Sequence, residues 1–260
     1  MISVKMIVSD LDKTLLNDDG IITDFTASVL QKCRERGILV VFATARSEKA
    51  SARFVEKFTP DAIISNGGAL AKLGDDEIYK KQLSPQTANE IIRSLSADSG
   101  TGYITAETDS GYFVNYPIDE SNLGWRDYFY AQYRDFTKDP LECGVYKLTV
   151  ETANPMAIYA LRGCFADVSV IQFAGEMWCR YAHNLASKWT ALEALAHHLA
   201  IDAKEIVSFG DDFIDMEMLG KCGIGVAPEN AADEVKEIAD FVCDTNNNDG
   251  VAVWLEHHCL

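Results

Sequence analysis

Ile38 to Ala43 reads ILVVFA, an unbroken apolar run with Thr44 and Arg46 directly behind it. A short run of this kind, rich in β-branched residues, is a strand buried on both faces, and such strands belong to parallel sheets covered by helices. The layout recurs twice. Lys5 to Ser9 runs into Asp10-Leu11-Asp12-Lys13-Thr14, and Glu205 to Phe209 runs into Gly210-Asp211-Asp212-Phe213-Ile214-Asp215. Between the first two runs, Thr23 is placed to cap a helix that carries Phe25, Val29, Leu30 and Cys33 and stops at Gly37. Ser47 to Phe58 reads as a second amphipathic helix and Asp61 to Ser65 as a third strand. The order β-α-β-α-β predicts an α/β fold with a parallel sheet and right-handed crossovers.

The pattern then changes. Ala69 to Leu73 and Glu77 to Lys80 flank Gly74-Asp75-Asp76, a hairpin signal. Ser84-Pro85 starts a helix. Strand-like segments, expected to pair through hairpins, come next at Tyr103–Ala106, Tyr112–Asn115, Val145–Val150, Val168–Phe173 and Met177–Tyr181. Helix-like stretches lie near Leu123–Tyr133 and from Pro155. From Ser187 the alternation returns, with helices at Lys188–Ala200, Asp212–Gly220, Ala231–Ala239 and Gly250–His257 and strands at Ile224–Ala227 and Phe241–Cys243. The expected organisation is a core of residues 1–80 and 184–260 with an α+β domain, 81–183, inserted between. Asn246-Asn247-Asn248 reads as a polar turn.

Charge and cysteine usage narrow the function classes. Forty acidic residues against 23 basic ones give a formal net charge of -17. That excess argues against a nucleic-acid partner and against an anionic membrane surface, and its default meaning is solubility. No apolar run approaches the ~20 residues that cross a bilayer. The N-terminal residues lack a signal-peptide layout. Seven cysteines without a CxxC pair suggest reduced thiols, so the expected location is cytoplasmic. The pairs His197-His198 and His257-His258 read as surface or core residues, not zinc ligands.

In an open parallel sheet, ligands bind beyond the carboxyl ends of the strands, so the three polar segments can converge on one site. Lys188, at the start of its helix, can join them. Clustered carboxylates require a cation, and an all-oxygen set favours magnesium before zinc. Of two aspartates spaced as Asp10 and Asp12, one can attack phosphorus while the other donates a proton to the leaving oxygen and later deprotonates water. Thr44 can donate a hydrogen bond to a phosphoryl oxygen, and Lys188 can offset charge there.

These segments together resemble the haloacid dehalogenase-like (HAD) phosphatase superfamily, in particular its Cof-type branch with a large α/β cap. DLDKTLL (Asp10 to Leu16), ATAR (Ala43 to Arg46), Lys188 in ASKWTAL and GDDFID (Gly210 to Asp215) are similar to its four motifs, in order. SNGG (Ser65 to Gly68) and the tail GVAPENAADEVKEIADFV with DGVA also resemble the branch. The resemblance implies a Rossmann-like core with an inserted α+β cap that closes over the site and reads the leaving group. It implies Asp10 as the nucleophile forming an aspartyl-phosphate, and Asp12 as general acid and base with its carbonyl on magnesium. Asp211 would be the acidic metal ligand, with Asp215 supporting the metal shell or a bound water. Thr44, Ala45, Arg46, Asn66, Gly67, Lys188 and Asn230 are the expected substrate-binding set. Asn66 could equally form a turn with Gly67, and Asn230 could cap a helix. Trp125, Arg126, Lys147 and Arg180 are further candidates in the insert, each equally readable as packing or surface charge.

Ile214, Trp189, Ala45, Pro228-Glu229 and Arg180 depart from the branch's usual residues and bear on substrate preference and rate. The expected function is magnesium-dependent hydrolysis of a small phosphate monoester, a sugar phosphate or similar metabolite. A phosphomutase of the same superfamily and a phosphate-ester sensor without turnover are the alternatives. No oligomeric state can be read from the sequence.

Overall fold

A computed structural model describes residues 4–97, 100–117, 131–154, 156, 161, 163–172 and 177–260. Trp125 and Arg126, and most of the helix expected from Pro155, lie outside them. The chain divides into two compact units, Met1–Lys80 with Ser187–Leu260, and Lys81–Ala186.

The first unit opens with β1 (Met6–Ser9), α1 (Asp24–Glu35), β2 (Leu39–Ala43), α2 (Glu48–Val55), β3 (Ala62–Ser65), β4 (Leu70–Leu73) and β5 (Asp76–Lys80). The second unit holds α3 (Pro85–Ser96), β6 (Thr101–Thr108), β7 (Tyr112–Val114), β8 (Ala131–Tyr133), β9 (Val145–Thr152), β10 (Val168–Gln172) and β11 (Trp178–His183). The chain then returns through α4 (Lys188–His198), β12 (Ile206–Phe209), α5 (Met216–Lys221), β13 (Ile224–Pro228), α6 (Asp233–Ile238), β14 (Phe241–Cys243) and α7 (Gly250–His258).

Strand order in the first unit is β14-β13-β12-β1-β2-β3-β4-β5. The strands from β14 to β3 are parallel, and β4 and β5 extend the same sheet as an antiparallel hairpin. β1 is central, with Ser9 in register with Phe209 on one side and Phe42 on the other. Side chains alternate along each strand, so both sheet faces are apolar. Ile7, Val40, Phe42, Val207 and Phe209 pack with Val29 and Leu30 of α1 and Trp254 and Leu255 of α7. Met6, Val8, Val41 and Ile64 pack with Leu192 and Leu195 of α4 and Met218 of α5. Each such side chain contributes about 1.5–3 kcal/mol of burial, which makes the central strand a rigid base for the polar segment at its end.

Local chemistry starts the helices. Thr23, Ser47, Ser84 and Ser187 each accept a hydrogen bond from a backbone N–H of the first turn, and Pro85 sits at the start of α3. Gly37 follows α1 at φ +80, the left-handed conformation that ends helices.

The second unit is a six-stranded sheet in the order β10-β11-β9-β6-β7-β8. Ile104, Ala106, Leu148, Val150, Cys179 and Tyr181 pack with Ile91, Ile92 and Leu95 of α3. Two expectations are corrected here. Ala131–Tyr133, the end of a stretch expected to be helical, is strand β8, and it pairs with β7 in parallel. Its sequence, Ala-Gln-Tyr, opens with two good helix formers, and pairing with an available strand overrides that local preference. β9 lies between β6 and β11, so the sheet is not a simple series of hairpins. No helix among the described residues is long and apolar enough to cross a membrane.

Candidate active site

The chain leaves β1 for β2 on one side and later reaches β12 on the other, so the end of β1 is the switch point of the sheet, where a crevice opens. Asp10 stands there, still extended at φ -61 and ψ 162. Leu11–Leu15 then forms a wide turn closed by Leu16 N–H donating to the Leu11 carbonyl (2.8 Å). Lys13 takes φ +59, a conformation uncommon for a residue with a Cβ. The turn separates the two aspartates: Asp10 is buried, while the Asp12 side chain is 44% exposed.

Asp10, Asp211 and Asp215 each offer a carboxylate oxygen within 4.8 Å of the others. Lys188 Nζ bridges two of them, 2.5 Å from Asp10 Oδ1 and 2.6 Å from Asp215 Oδ1, with its side chain fully buried. Thr14 Oγ1 donates to Asp211 Oδ1 (2.7 Å). The expected helix over Asp212–Gly220 is corrected: Phe213–Asp215 is a single 3-10 turn and α5 starts at Met216. Asp212 stays extended and its N–H donates to Asp215 Oδ2 (3.2 Å), so the turn folds Asp215 back beside the strand end. Gly210 permits this, because a Cβ there would lie 2.4 Å from the Cβ of Asp215.

One buried ammonium faces three carboxylates. Burial, then Asp215 and Asp211, push Asp10 well above the usual carboxylate range, with Lys188 opposing them. Asp211 is pushed up to about 6, first by burial and then by Asp215, against the Thr14 hydrogen bond. Burial would lower Lys188, but Asp10 and Asp215 outweigh it and hold the ammonium above its ordinary range. The all-oxygen set with its uncompensated negative charge fits a hard divalent cation.

The second segment supplies a different arrangement. Thr44 is fully buried; its N–H donates to the Ile64 carbonyl (2.8 Å) and its Oγ1 accepts from Arg46 N–H (3.1 Å). Arg46 grips Asp12 with two bonds, Nε to Oδ2 and Nη2 to Oδ1, both 2.8 Å, and its guanidinium lies 4.6 Å from the centre of the Phe54 ring. The Asp12 carboxylate therefore points to Arg46 and is not part of the three-carboxylate group.

Other expected site residues have architectural contacts. Asn66, Gly67 and Gly68 are successive left-handed residues. The Asn66 N–H donates to the Arg46 carbonyl (2.7 Å) and the Gly67 N–H to the Thr44 carbonyl (2.9 Å). Both N–H groups tie this turn to the Thr44 segment. A Cβ at Gly68 would lie 2.0 Å from the Ser187 carbonyl oxygen, so this turn seats the start of α4 and with it Lys188. Asn230 Nδ2 donates to the Lys13 carbonyl (2.7 Å) and its Oδ1 accepts from Asn246 N–H (2.9 Å). It is not the cap of α6, which starts after Ala232. Ala45 is exposed between Thr44 and Arg46.

Trp189 is buried in the apolar layer with Leu192 and Met218, and the Lys221 ammonium lies 5.3 Å from its ring centre. In the second unit, Lys147 pairs with Glu107 (3.1 Å) and buried Arg180 donates to the Ala186 carbonyl (3.1 Å). Thr14, Gly68, Gly210 and Asn246 were not among the expected site residues, although the first three stand in DLDKTLL, SNGG and GDDFID. A lone hydroxyl four residues after Asp10 carries no sequence signal of its own.

The sequence model of the haloacid dehalogenase-like hydrolases matches residues 7–255. The chain is 24% identical over 264 residues, covering 100% of this chain and 97% of the relative, to the 5-amino-6-(5-phospho-D-ribitylamino)uracil phosphatase YcsE of Bacillus subtilis (strain 168). It is 26% identical over 246 residues to the HMP-PP phosphatase of Klebsiella pneumoniae (strain 342), covering 89% of this chain and 86% of that one. The solved structure of BT1666 from Bacteroides thetaiotaomicron, described among phosphatases of the HAD superfamily, aligns with a TM-score of 0.83 at 26% identity. That alignment covers 98% of this chain and 94% of that one.

Proposed function

The chain belongs to the haloacid dehalogenase-like hydrolase family and is a phosphatase; on that premise we propose that it hydrolyses a small phosphate monoester with magnesium, through an aspartyl-phosphate on Asp10. The observation that carries this reading is the buried group of Asp10, Asp211 and Asp215 bridged by Lys188 at the sheet's switch point. Asp10, Asp211 and Asp215 would hold magnesium, with the Asp12 carbonyl as a further donor. When bound, the ion supplies positive charge that screens the phosphoryl oxygens from the carboxylates.

An Asp10 carboxylate oxygen attacks phosphorus and the bond to the leaving oxygen breaks, while Asp12 gives that oxygen a proton. Water then attacks phosphorus, Asp12 takes the water's proton, and the phosphorus–Asp10 bond breaks. Burial opposes the anion this attack needs, and the adjacent Lys188 ammonium favours it. Each Asp12 carboxylate oxygen accepts one bond from Arg46 and keeps a second lone pair for the transferred proton. The Thr44 hydroxyl accepts a hydrogen bond from Arg46 N–H, which leaves its own proton available for donation to a phosphoryl oxygen.

Two similar proteins act, by their names, on phosphorylated metabolites, which supports a substrate of that class. The test is release of inorganic phosphate from a generic aryl phosphate, then from a panel of phosphorylated metabolites. Release that depends on added magnesium and stops with a chelator is expected. A rearranged ester without free phosphate would identify a mutase, and saturable binding without any product would identify a sensor.

The carboxylate group also predicts how metal and pH act together. Asp10 and Asp211 bind their protons more tightly in the folded chain than an ordinary aspartate does. With Asp211 pushed up to about 6, the folded state holds more protons between about pH 4 and 6 and metal-free stability falls as pH rises through that window, and Asp10 acts in the same direction. Magnesium offsets the charge above it, so the expected rise in Tm with magnesium is larger at about pH 7.5 than at about pH 5. Equal rises at both values would show that the ion binds elsewhere.

A further inference from the structure

The polar run Asn246-Asn247-Asn248 has no part in the phosphoryl-transfer scheme, yet its first residue is almost fully buried. Asn246 Nδ2 donates to the Leu16 carbonyl (3.0 Å) and to Asp18 Oδ1 (3.1 Å). Its backbone N–H donates to Asn230 Oδ1, and Asn230 Nδ2 donates to the Lys13 carbonyl. The four residues form one chain of hydrogen bonds, Lys13–Asn230–Asn246–Leu16, that begins and ends on the turn following Asp10. That turn carries Asp12 and Thr14, and Thr14 in turn orients Asp211.

We infer that Asn246 is a positioning residue for this turn. Through Leu16 and, by way of Asn230, through Lys13, it holds the turn at two points, one between Asp12 and Thr14 and one two residues after Thr14. The inference rests on the hydrolytic reading above for its effect on rate, but not for its effect on the turn itself. The carboxamide is suited to the task because the position needs two donors toward oxygen acceptors. Asp has the same size but would set a carboxylate against the Leu16 carbonyl and the Asp18 carboxylate. Asn247 exchanges hydrogen bonds with Asp18 but reaches neither Lys13 nor Leu16, which makes it the internal control.

The experiment compares Asn246→Ala, Asn246→Asp, Asn230→Ala, Asn246→Ala with Asn230→Ala together, and Asn247→Ala. Steady-state kinetics and hydrogen exchange of amides 11–16 are measured on the full chain. Asn246→Ala and Asn246→Asp are expected to lower kcat on the order of tenfold to a hundredfold, the scale of a small misplacement of reacting groups, with little change in KM. Asn230→Ala falls in the same direction, and the double variant loses little more than Asn246→Ala alone, because both break one chain. Exchange of amides 11–16 accelerates in these variants and not in Asn247→Ala. Asn230 is exposed, so its variant keeps the test available if Asn246→Ala does not fold. Wild-type kcat in a folded Asn246→Asp, additive losses in the double variant, or loss of protection spread evenly over the chain would each overturn the inference. If the wild-type chain released no phosphate, the hydrolytic reading would fail, and the exchange measurement would still decide whether Asn246 holds the turn.

Discussion

Asp10→Asn is expected to reduce kcat by about 10⁴-fold or more, the scale seen when a nucleophile is removed. The fold should survive it. Burial, Asp215 and Asp211 all oppose the Asp10 anion, and Lys188 only partly compensates, so the uncharged carboxamide removes an unfavourable charge while keeping the shape. Metal-free Asp10→Asn is therefore expected to unfold at a temperature equal to or above that of the wild type at about pH 7.5. Lost turnover with a retained Tm assigns the defect to chemistry. The assay is phosphate release at saturating magnesium, with acid-stable capture of labelled phosphate on the protein as the second readout. Wild type should trap label on Asp10 and the variant should not. Equal phosphate release from both proteins would remove Asp10 from the nucleophile's role.

The parallel sheet was legible because its strands are buried on both faces, and ILVVFA has no polar face on which a competing reading could rest. The helix starts were legible because a Ser or Thr cap acts on the next few residues alone. Asp10, Asp211 and Asp215 could be grouped in advance because each follows a strand end, and strand ends of a parallel sheet lie on one side. Side-chain direction was not legible. Asp10 and Asp12 are two residues apart in sequence, but the left-handed Lys13 and the turn from Leu11 send Asp12 to Arg46. Nothing in the spacing distinguishes a ligand-facing amide from one bonded to another loop, so Asn230 and Asn246 could not be read as partners across 16 residues. Trp189 stood out by type next to Lys188, yet successive helix positions point in different directions. Trp189 turns into the apolar layer while Lys188 reaches the carboxylates. In the second unit, Ala131–Tyr133 follows its strand partner, information that no local window contains.

Lys188→Met separates the two functions of the buried ammonium. The substitution keeps an unbranched side chain of similar reach but leaves Asp10, Asp211 and Asp215 without their internal counter-charge. Removing one partner of a buried ion pair typically costs about 3–5 kcal/mol, because the remaining charge is left desolvated. The cost is expected to fall in Lys188→Met combined with Asp10→Asn, where one orphaned carboxylate is also gone. A coupling of about 1–3 kcal/mol between the two sites is expected from their direct contact. Magnesium should raise the Tm of Lys188→Met more than that of wild type, since the carboxylate group now presents greater net negative charge. Tighter metal binding should not bring turnover back. The cation and the ammonium address different charges, and loss of a preorganised positive group beside the transferring phosphoryl costs about 10²–10³ in kcat. The discriminating measurement is kcat of Lys188→Met as a function of magnesium, beside its Tm over the same range. Recovery of wild-type kcat at high magnesium would mean that Lys188 serves only to balance charge. A Tm restored by magnesium with kcat still depressed would place the ammonium in the chemical step.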